Sequence, residues 1–348
     1  MSPENNFYPM PTLCISNEKG GVGKTFLSQS VAEWAARFLG LSVLMVDMDL
    51  QANLTTSLIG TEQSDEFGDG INYKVPPIHP DYTEDSLPED MRPSIAGAFS
   101  GDSIAPYPTW INPEHFAGIE GFVDLIPAHG QKLESIAVAP VISDGNNLKD
   151  PAYNCVHTVI QEPTLRDHYD VVVIDTSPSR SVLTRAALRA TTHLVVPLEF
   201  DVHSLEGLMS MKSTTDAENS FRESFGLPPI ELIGVLPNKY VQGTERSAGI
   251  SAVLYDEVKE KLGSIFLSEH SFIPQAEVVK KVLSGKHRSG SIFDVTTKSK
   301  SEYRLRLALE HACIEILHPM FTDYAISDKL DRQQQRVRIA QKKLQKST

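Results

Sequence analysis

The residues best equipped for chemistry are Glu18-Lys19-Gly20-Gly21-Val22-Gly23-Lys24-Thr25. Three glycines in four positions let a backbone wrap tightly and turn its N–H groups towards an anion, where Cβ atoms would crowd it. Lys24 brings a cation that can reach terminal phosphates, and the Thr25 hydroxyl suits Mg²⁺. A second set is Asp47 and Asp49, two positions apart at the end of the apolar run Ser42–Val46 and so on one face of a strand. A third is Asp175, which ends the run Val171-Val172-Val173-Ile174. A carboxylate there can hold a water on Mg²⁺, a metal that takes few protein ligands. A phosphate cradle, a divalent cation and a carboxylate beside it are the parts of phosphoryl transfer from a nucleoside triphosphate.

These groups need a scaffold that brings several strand ends to one edge. Leu13-Cys14-Ile15-Ser16 leads into the glycine loop as a short buried strand. Phe26, Val31, Trp34, Ala35, Phe38 and Leu39 follow as a helical stripe closed by Gly40. That helix points its positive N-terminus at the anion. Ser42–Val46, Val123–Ile126, Val171–Ile174, Leu194–Leu198 and Leu232–Leu236 are apolar without alternation, as strands covered on both faces must be. Helical patterns over Ser181–Ala190, Ser204–Ser213 and Ala248–Leu262 separate several of them. The expectation is an α/β fold: a doubly wound, mainly parallel sheet with helices on both faces, of the P-loop NTPase type.

Composition narrows the class. The chain has 348 residues, 41% apolar and 22% charged, which is ample for a core. No segment approaches the roughly 18 uncharged apolar residues of a membrane span, and no secretion signal opens the chain. Cys14, Cys155 and Cys313 stand far apart with no Cys-x-x-Cys, which argues for a reducing compartment and against a zinc or iron–sulfur site. The net charge of −13 is uneven: residues 61–120 hold 12 acids against 2 bases, and residues 277–348 hold 15 bases against 8 acids. Phosphate contact responds to local charge, so the acidic total does not exclude nucleic acid. Residues 61–93 read as an irregular, acidic, proline-rich insertion, and Asp328–Thr348 as a polar, exposed helix. The short stretch before the first strand leaves no room for a helix-turn-helix, so operator-specific repression is not expected.

Glu18 at the first glycine position and the extra Lys19 make the loop resemble the deviant Walker A motif of the ParA/MinD ATPases, on the ParA side. Asp47-Met48-Asp49-Leu50-Gln51-Ala52-Asn53 resembles that family's Asp-x-Asp-Pro-Gln-x-Asn signature, with Leu50 in place of proline. Asp175-Thr176-Ser177-Pro178-Ser179 resembles its Asp-x-x-Pro-Ser, and Pro197-Leu198-Glu199 with Ser204-Leu205-Glu206-Gly207 fits the ParA pattern. The resemblance covers about residues 11–295 with the insertion excluded, leaving 296–348 as a helical, basic extension.

The resemblance implies an ATPase that uses ATP and Mg²⁺. It makes Lys19, Lys24 and Asp49 catalytic, with Asp49 positioning the attacking water and Lys19 reaching the partner subunit's ATP. Nucleotide contacts fall to Glu18, Lys19, Gly20, Gly21, Val22, Gly23, Lys24, Thr25 and Phe26, with Asn238 and Pro274 near the adenine. The metal falls to Thr25, Asp47 and Asp175. It further implies an ATP-state homodimer, sequence-independent duplex DNA as ligand, and a ParB-like adaptor that stimulates hydrolysis on the nucleoid in the cytoplasm. The basic cluster Lys280, Lys281, Lys286 and Arg288 is its DNA-contact candidate. Two alternatives stay open. One is a MinD-like membrane ATPase anchored through the thin stripe Leu330, Val337 and Leu344; the other is a nucleotide-dependent scaffold.

Overall fold

The computed structural model describes residues 9–64, 70–138, 151–199, 204–224, 226–239, 272–275, 291–295 and 299–346, with single positions 260, 267 and 279. The expected helix over Ala248–Leu262 lies almost wholly outside the described residues.

Among them, a seven-stranded sheet runs β5-β6-β2-β7-β1-β8-β9. Its strands are β1 Thr12–Ile15, β2 Ser42–Met48, β5 Tyr107–Pro108, β6 Phe122–Ile126, β7 Val171–Thr176, β8 His193–Leu198 and β9 Glu231–Pro237. Every neighbour is parallel except β5, which is antiparallel to β6. The uninterrupted apolar runs have a simple cause. Leu13, Val43, Met45, Val171 and Val173 face one buried cluster, and Cys14, Leu44, Val46, Val172 and Ile174 face a second. Each strand therefore divides its side chains, by its period of two, between two covered faces.

On the first face lie α1 (Lys24–Trp34), α9 (Lys300–Leu317) and α10 (Tyr324–Lys346). The α1 stripe continues as one π turn, Ala35–Leu39, and stops at Gly40, whose φ of 76° suits a residue without a Cβ. On the second face lie α4 (Gly130–Val138), α5 (Pro151–Ile160), α7 (Val182–Ala190) and the start of α8 (Ser204–Ser224). Shorter helices are α2 (Asn53–Leu58), α3 (Gly97–Ser100) and α6 (Pro163–His168). After β1 the chain crosses by α1 to β2 on one side; after β7 it crosses by α7 to β8 on the other. The loops leaving β1 and β7 diverge, which opens the crevice where such sheets bind ligands.

Two sequence expectations need revision. The Asp328–Thr348 helix is polar overall, but Leu330 and Val337 are fully buried and Leu344 packs against the same core. Lys329 also donates to Leu39 O at 2.7 Å, closing the end of the α1 turn. The stripe that suggested a membrane anchor is thus the seam by which α10 docks. No helix of the described residues is long and apolar enough to cross a membrane. The acidic stretch, in turn, contains a hairpin, β3 (Glu62–Ser64) paired antiparallel with β4 (Tyr73–Val75).

Candidate nucleotide-binding site

The glycine loop joins β1 to α1 as its residue types require. Gly21 and Gly23 sit at φ 75° and 89°, the left-handed region that side chains with a Cβ avoid. Gly23 is tight for a second reason: a Cβ there would lie 2.2 Å from Asn238 Nδ2. Lys24 is 6% exposed, and its Nζ donates to Asn17 O at 3.0 Å and Lys19 O at 3.1 Å, curling the loop around the ammonium. Burial pushes the Lys24 pKa below its usual value, and the Asp175 and Asp49 carboxylates oppose that shift. A buried cation that donates to two loop carbonyls, behind glycines at positive φ, favours an incoming anion.

Three carboxylates converge beside it. Asp175 at the end of β7 is opposite Ile15 of β1 on one side and Asp47 of β2 on the other. It is fully buried; Ser28 donates to Oδ1 at 3.1 Å, while Oδ2 has no hydrogen-bond partner among the described residues. Burial, then the neighbouring Asp47, pushes its pKa up to about 8, against a hydrogen bond from Thr25 and the Lys24 charge. A buried oxygen left without a donor, beside a hydroxyl, suits a hydrated cation. Among the described residues, no three His, Cys, Asp or Glu side chains form a cage able to hold a metal by themselves.

Asp47 is engaged differently. Its Oδ1 accepts from Asp49 N at 3.0 Å, and its Oδ2 accepts from Thr55 N at 2.8 Å and Thr55 Oγ1 at 2.7 Å. Asp47, expected in the Mg²⁺ shell, thus already accepts three protein hydrogen bonds, one on Oδ1 and two on Oδ2. Burial pushes its pKa up to about 6, with those hydrogen bonds opposing. Asp49 lies one residue beyond β2, where its Oδ1 accepts from Gln51 N at 3.0 Å.

Several contacts were silent in the sequence. Glu18, at the position expected to be glycine, accepts from Arg180 Nε at 2.7 Å and from Ser210 and Thr214 of α8. It ties the loop to the segment after β7 and to α8. Asn238, an adenine candidate, donates Nδ2 to Val22 O at 2.7 Å and is anchored by its own N–H to Leu198 O. It braces the loop from below Gly23. Lys239, at φ 55°, lies with Nζ 3.9 Å from a Cβ on Gly21 and pairs with Glu199 at 3.2 Å. Pro274 follows Ile273, whose N–H bonds to Pro237 O and fixes that segment beside β9. Phe26, in the first turn of α1, is buried in the first core cluster. Lys19 is half-buried at the loop entrance. Lys280, Lys281, Lys286 and Arg288 lie outside the described residues.

Residues 13–287 match the family model described as the CobQ/CobB/MinD/ParA nucleotide binding domain. The chain is 29% identical over 207 residues to the virulence plasmid ParA family protein pGP5-D of Chlamydia psittaci, covering 58% of this chain and 62% of that one. It is 28% identical over 255 residues to the chromosome-partitioning ATPase Soj of Thermus thermophilus, covering 72% and 78%. The alignment thus spans less than two thirds of the chlamydial relative. In fold, the chain is similar to cobyrinic acid a,c-diamide synthase from Mycobacterium smegmatis with bound ADP and magnesium. That likeness has a TM-score of 0.57 at 22% identity and covers 88% of this chain and 94% of that one.

Proposed function

The chain belongs to the CobQ/CobB/MinD/ParA nucleotide binding domain family, and from that premise we propose that it is a partition ATPase that hydrolyses ATP to ADP and phosphate. The carrying observation is the convergence of Gly23, Lys24, Thr25 and the orphaned Asp175 oxygen at the carboxyl ends of β1 and β7. Gly20, Gly21, Val22 and Gly23 offer backbone N–H groups to the phosphates, and Lys24 leaves its two carbonyls for them. Thr25 and Asp175 would hold Mg²⁺, which would supply neutralisation of phosphate charge. Asp49 orients the attacking water. Asp47 holds Asp49 and α2 in place through its three accepted hydrogen bonds.

Regulation follows from the dimer. Lys19 stands at the mouth of the loop, outside the cradle, and reaches the phosphates of a second copy, so that ATP is closed between two subunits. The dimer then binds duplex DNA of any sequence through a basic surface that includes Lys280, Lys281, Lys286 and Arg288. Hydrolysis, stimulated by a ParB-like adaptor, resets it on the nucleoid in the cytoplasm. The burial of Leu330 and Val337 removes the amphipathic stripe on which a membrane-anchored reading depends.

Duplex binding in ATP and in ADP across a salt series tests this directly. ATP must strengthen binding, and reversing Lys280, Lys281 and Arg288 to Glu must flatten the salt dependence by about 0.9 in slope per lost phosphate contact. Equal affinity in both nucleotides contradicts the switch.

A further inference from the structure

The turn that carries Asp49 is backed by a part of the chain outside the phosphate loop. Its backbone is unusual: Ala52 sits at φ 47°, and Leu50 lacks the fixed φ of a proline. Such strain persists only where the surroundings over-determine it. The local contacts are Asp49 N to Asp47 Oδ1, Gln51 N to Asp49 Oδ1, and Ala52 N to Asp49 O at 2.8 Å. Thr56 adds its N–H and its Oγ1, which donate to Ala52 O at 2.9 and 2.7 Å, and Lys74 on β4 adds support from outside the turn. Its Nζ donates to Gln51 O at 2.9 Å and to Asn53 Oδ1 at 3.2 Å, spanning the strained Ala52.

The hairpin is itself fixed at that point. Gly130 at the start of α4 lies so close that a Cβ would be 2.9 Å from Leu50 O and 3.0 Å from Lys74 O. The turn, β4 and α4 therefore meet with no room for a side chain between them. Arg92 pins the other side, donating to Pro76 O and pairing with Glu62 of β3. An exposed ion pair is worth little because two flexible side chains must be ordered for it. Lys74 instead grips a main-chain carbonyl, so its contact fixes backbone.

We propose that Lys74 is a positioning residue for hydrolysis: its ammonium clamps Gln51 and Asn53 and thereby holds Asp49 aimed, making the acidic hairpin part of the catalytic apparatus. This rests on Asp49 being the carboxylate that orients water. Lys74 touches no reacting atom and acts through the turn.

The test uses the full chain with Lys74→Met, which keeps the aliphatic stem and removes the donors, and Lys74→Arg, which restores them. Because small misplacements of a catalytic group are expensive, kcat of Lys74→Met falls about tenfold or more. KM and affinity for a non-hydrolysable ATP analogue stay within about twofold, the pattern of an interaction that matters only beyond the ground state. Lys74→Arg recovers most of kcat. An unchanged kcat, or a matched loss of kcat and nucleotide affinity, overturns the proposal.

Amide hydrogen exchange is the second arm. Residues 51–53 exchange about tenfold faster in Lys74→Met while β1 is unaffected; equal exchange at 51–53 also overturns it. If the wild-type chain turns over no ATP, the ATPase reading fails and exchange alone decides the clamp.

Discussion

Gly23→Ala isolates the feature on which the phosphate cradle depends. Two costs are legible. Alanine at φ 89° takes on a left-handed conformation worth about 1–2 kcal/mol. Its Cβ would also fall 2.2 Å from Asn238 Nδ2, so that amide must leave its 2.7 Å bond to Val22 O. Stranding a buried polar group costs about 1–3 kcal/mol, for a total of about 2–5 kcal/mol. An empty loop can relax away from the clash, so most of the cost returns when the cradle must re-form around phosphate. Nucleotide affinity then falls between about 30-fold and about 4,000-fold, at about 1.4 kcal/mol per tenfold. Gly101→Ala is the control, because it has φ 82° with nothing within 4 Å of its Cβ; it carries the same left-handed cost of about 1–2 kcal/mol in stability and leaves binding intact. Calorimetric titration with ATP analogue reads both variants. Gly23→Ala with Asn238→Ala must bind better than Gly23→Ala alone, since the obstacle is gone, a coupling of about 1 kcal/mol or more. Wild-type affinity in Gly23→Ala, or strict additivity in the double variant, refutes the reasoning.

Two further outcomes are expected. Lys19→Gln keeps nucleotide binding but loses the ATP-dependent dimer in light scattering; an unimpaired dimer rules out the reach across subunits. Glu33 is 2% exposed, and burial pushes its pKa up to about 7 against Ser291 and Arg37, with Asp294 adding to the rise. A raised folded pKa means stability that is full below the unfolded value near 4.5 and declines as pH rises to about 7, by up to about 3 kcal/mol. Melting curves of Glu33→Gln are therefore flatter than wild type between pH 5 and 8, whatever the absolute loss from unpairing Arg37; parallel curves contradict the assignment.

The sheet was readable because burial on both faces removes alternation, so Val171–Ile174 and Ser42–Val46 announce themselves as continuous apolar runs. The phosphate loop was readable because glycine is the chemical record of positive φ, and the structure places Gly21 and Gly23 there. What surrounds the loop was not. Glu18 finds Ser210 and Thr214 across nearly two hundred residues of chain, and no local pattern encodes that meeting. Lys239 and Lys74 carry no periodic or motif signal, since a single lysine in a loop or a three-residue strand looks like solvated surface. The α10 stripe was visible as a period of seven, but a stripe does not name its partner. Only the packing of Leu330 and Val337 against the first core cluster does so.

Phosphate release from ATP and Mg²⁺ by the wild-type chain, Lys24→Ala and Asp49→Ala, with nucleotide affinity measured alongside, tests the central claim most directly. The account predicts turnover in wild type and loss of binding in Lys24→Ala. In Asp49→Ala it predicts wild-type ATP affinity with hydrolysis slowed about a hundredfold or more, because positioning and electrostatics supply most of the catalysis. Wild-type turnover in Asp49→Ala would contradict it, as would a wild-type chain that binds ATP and releases no phosphate.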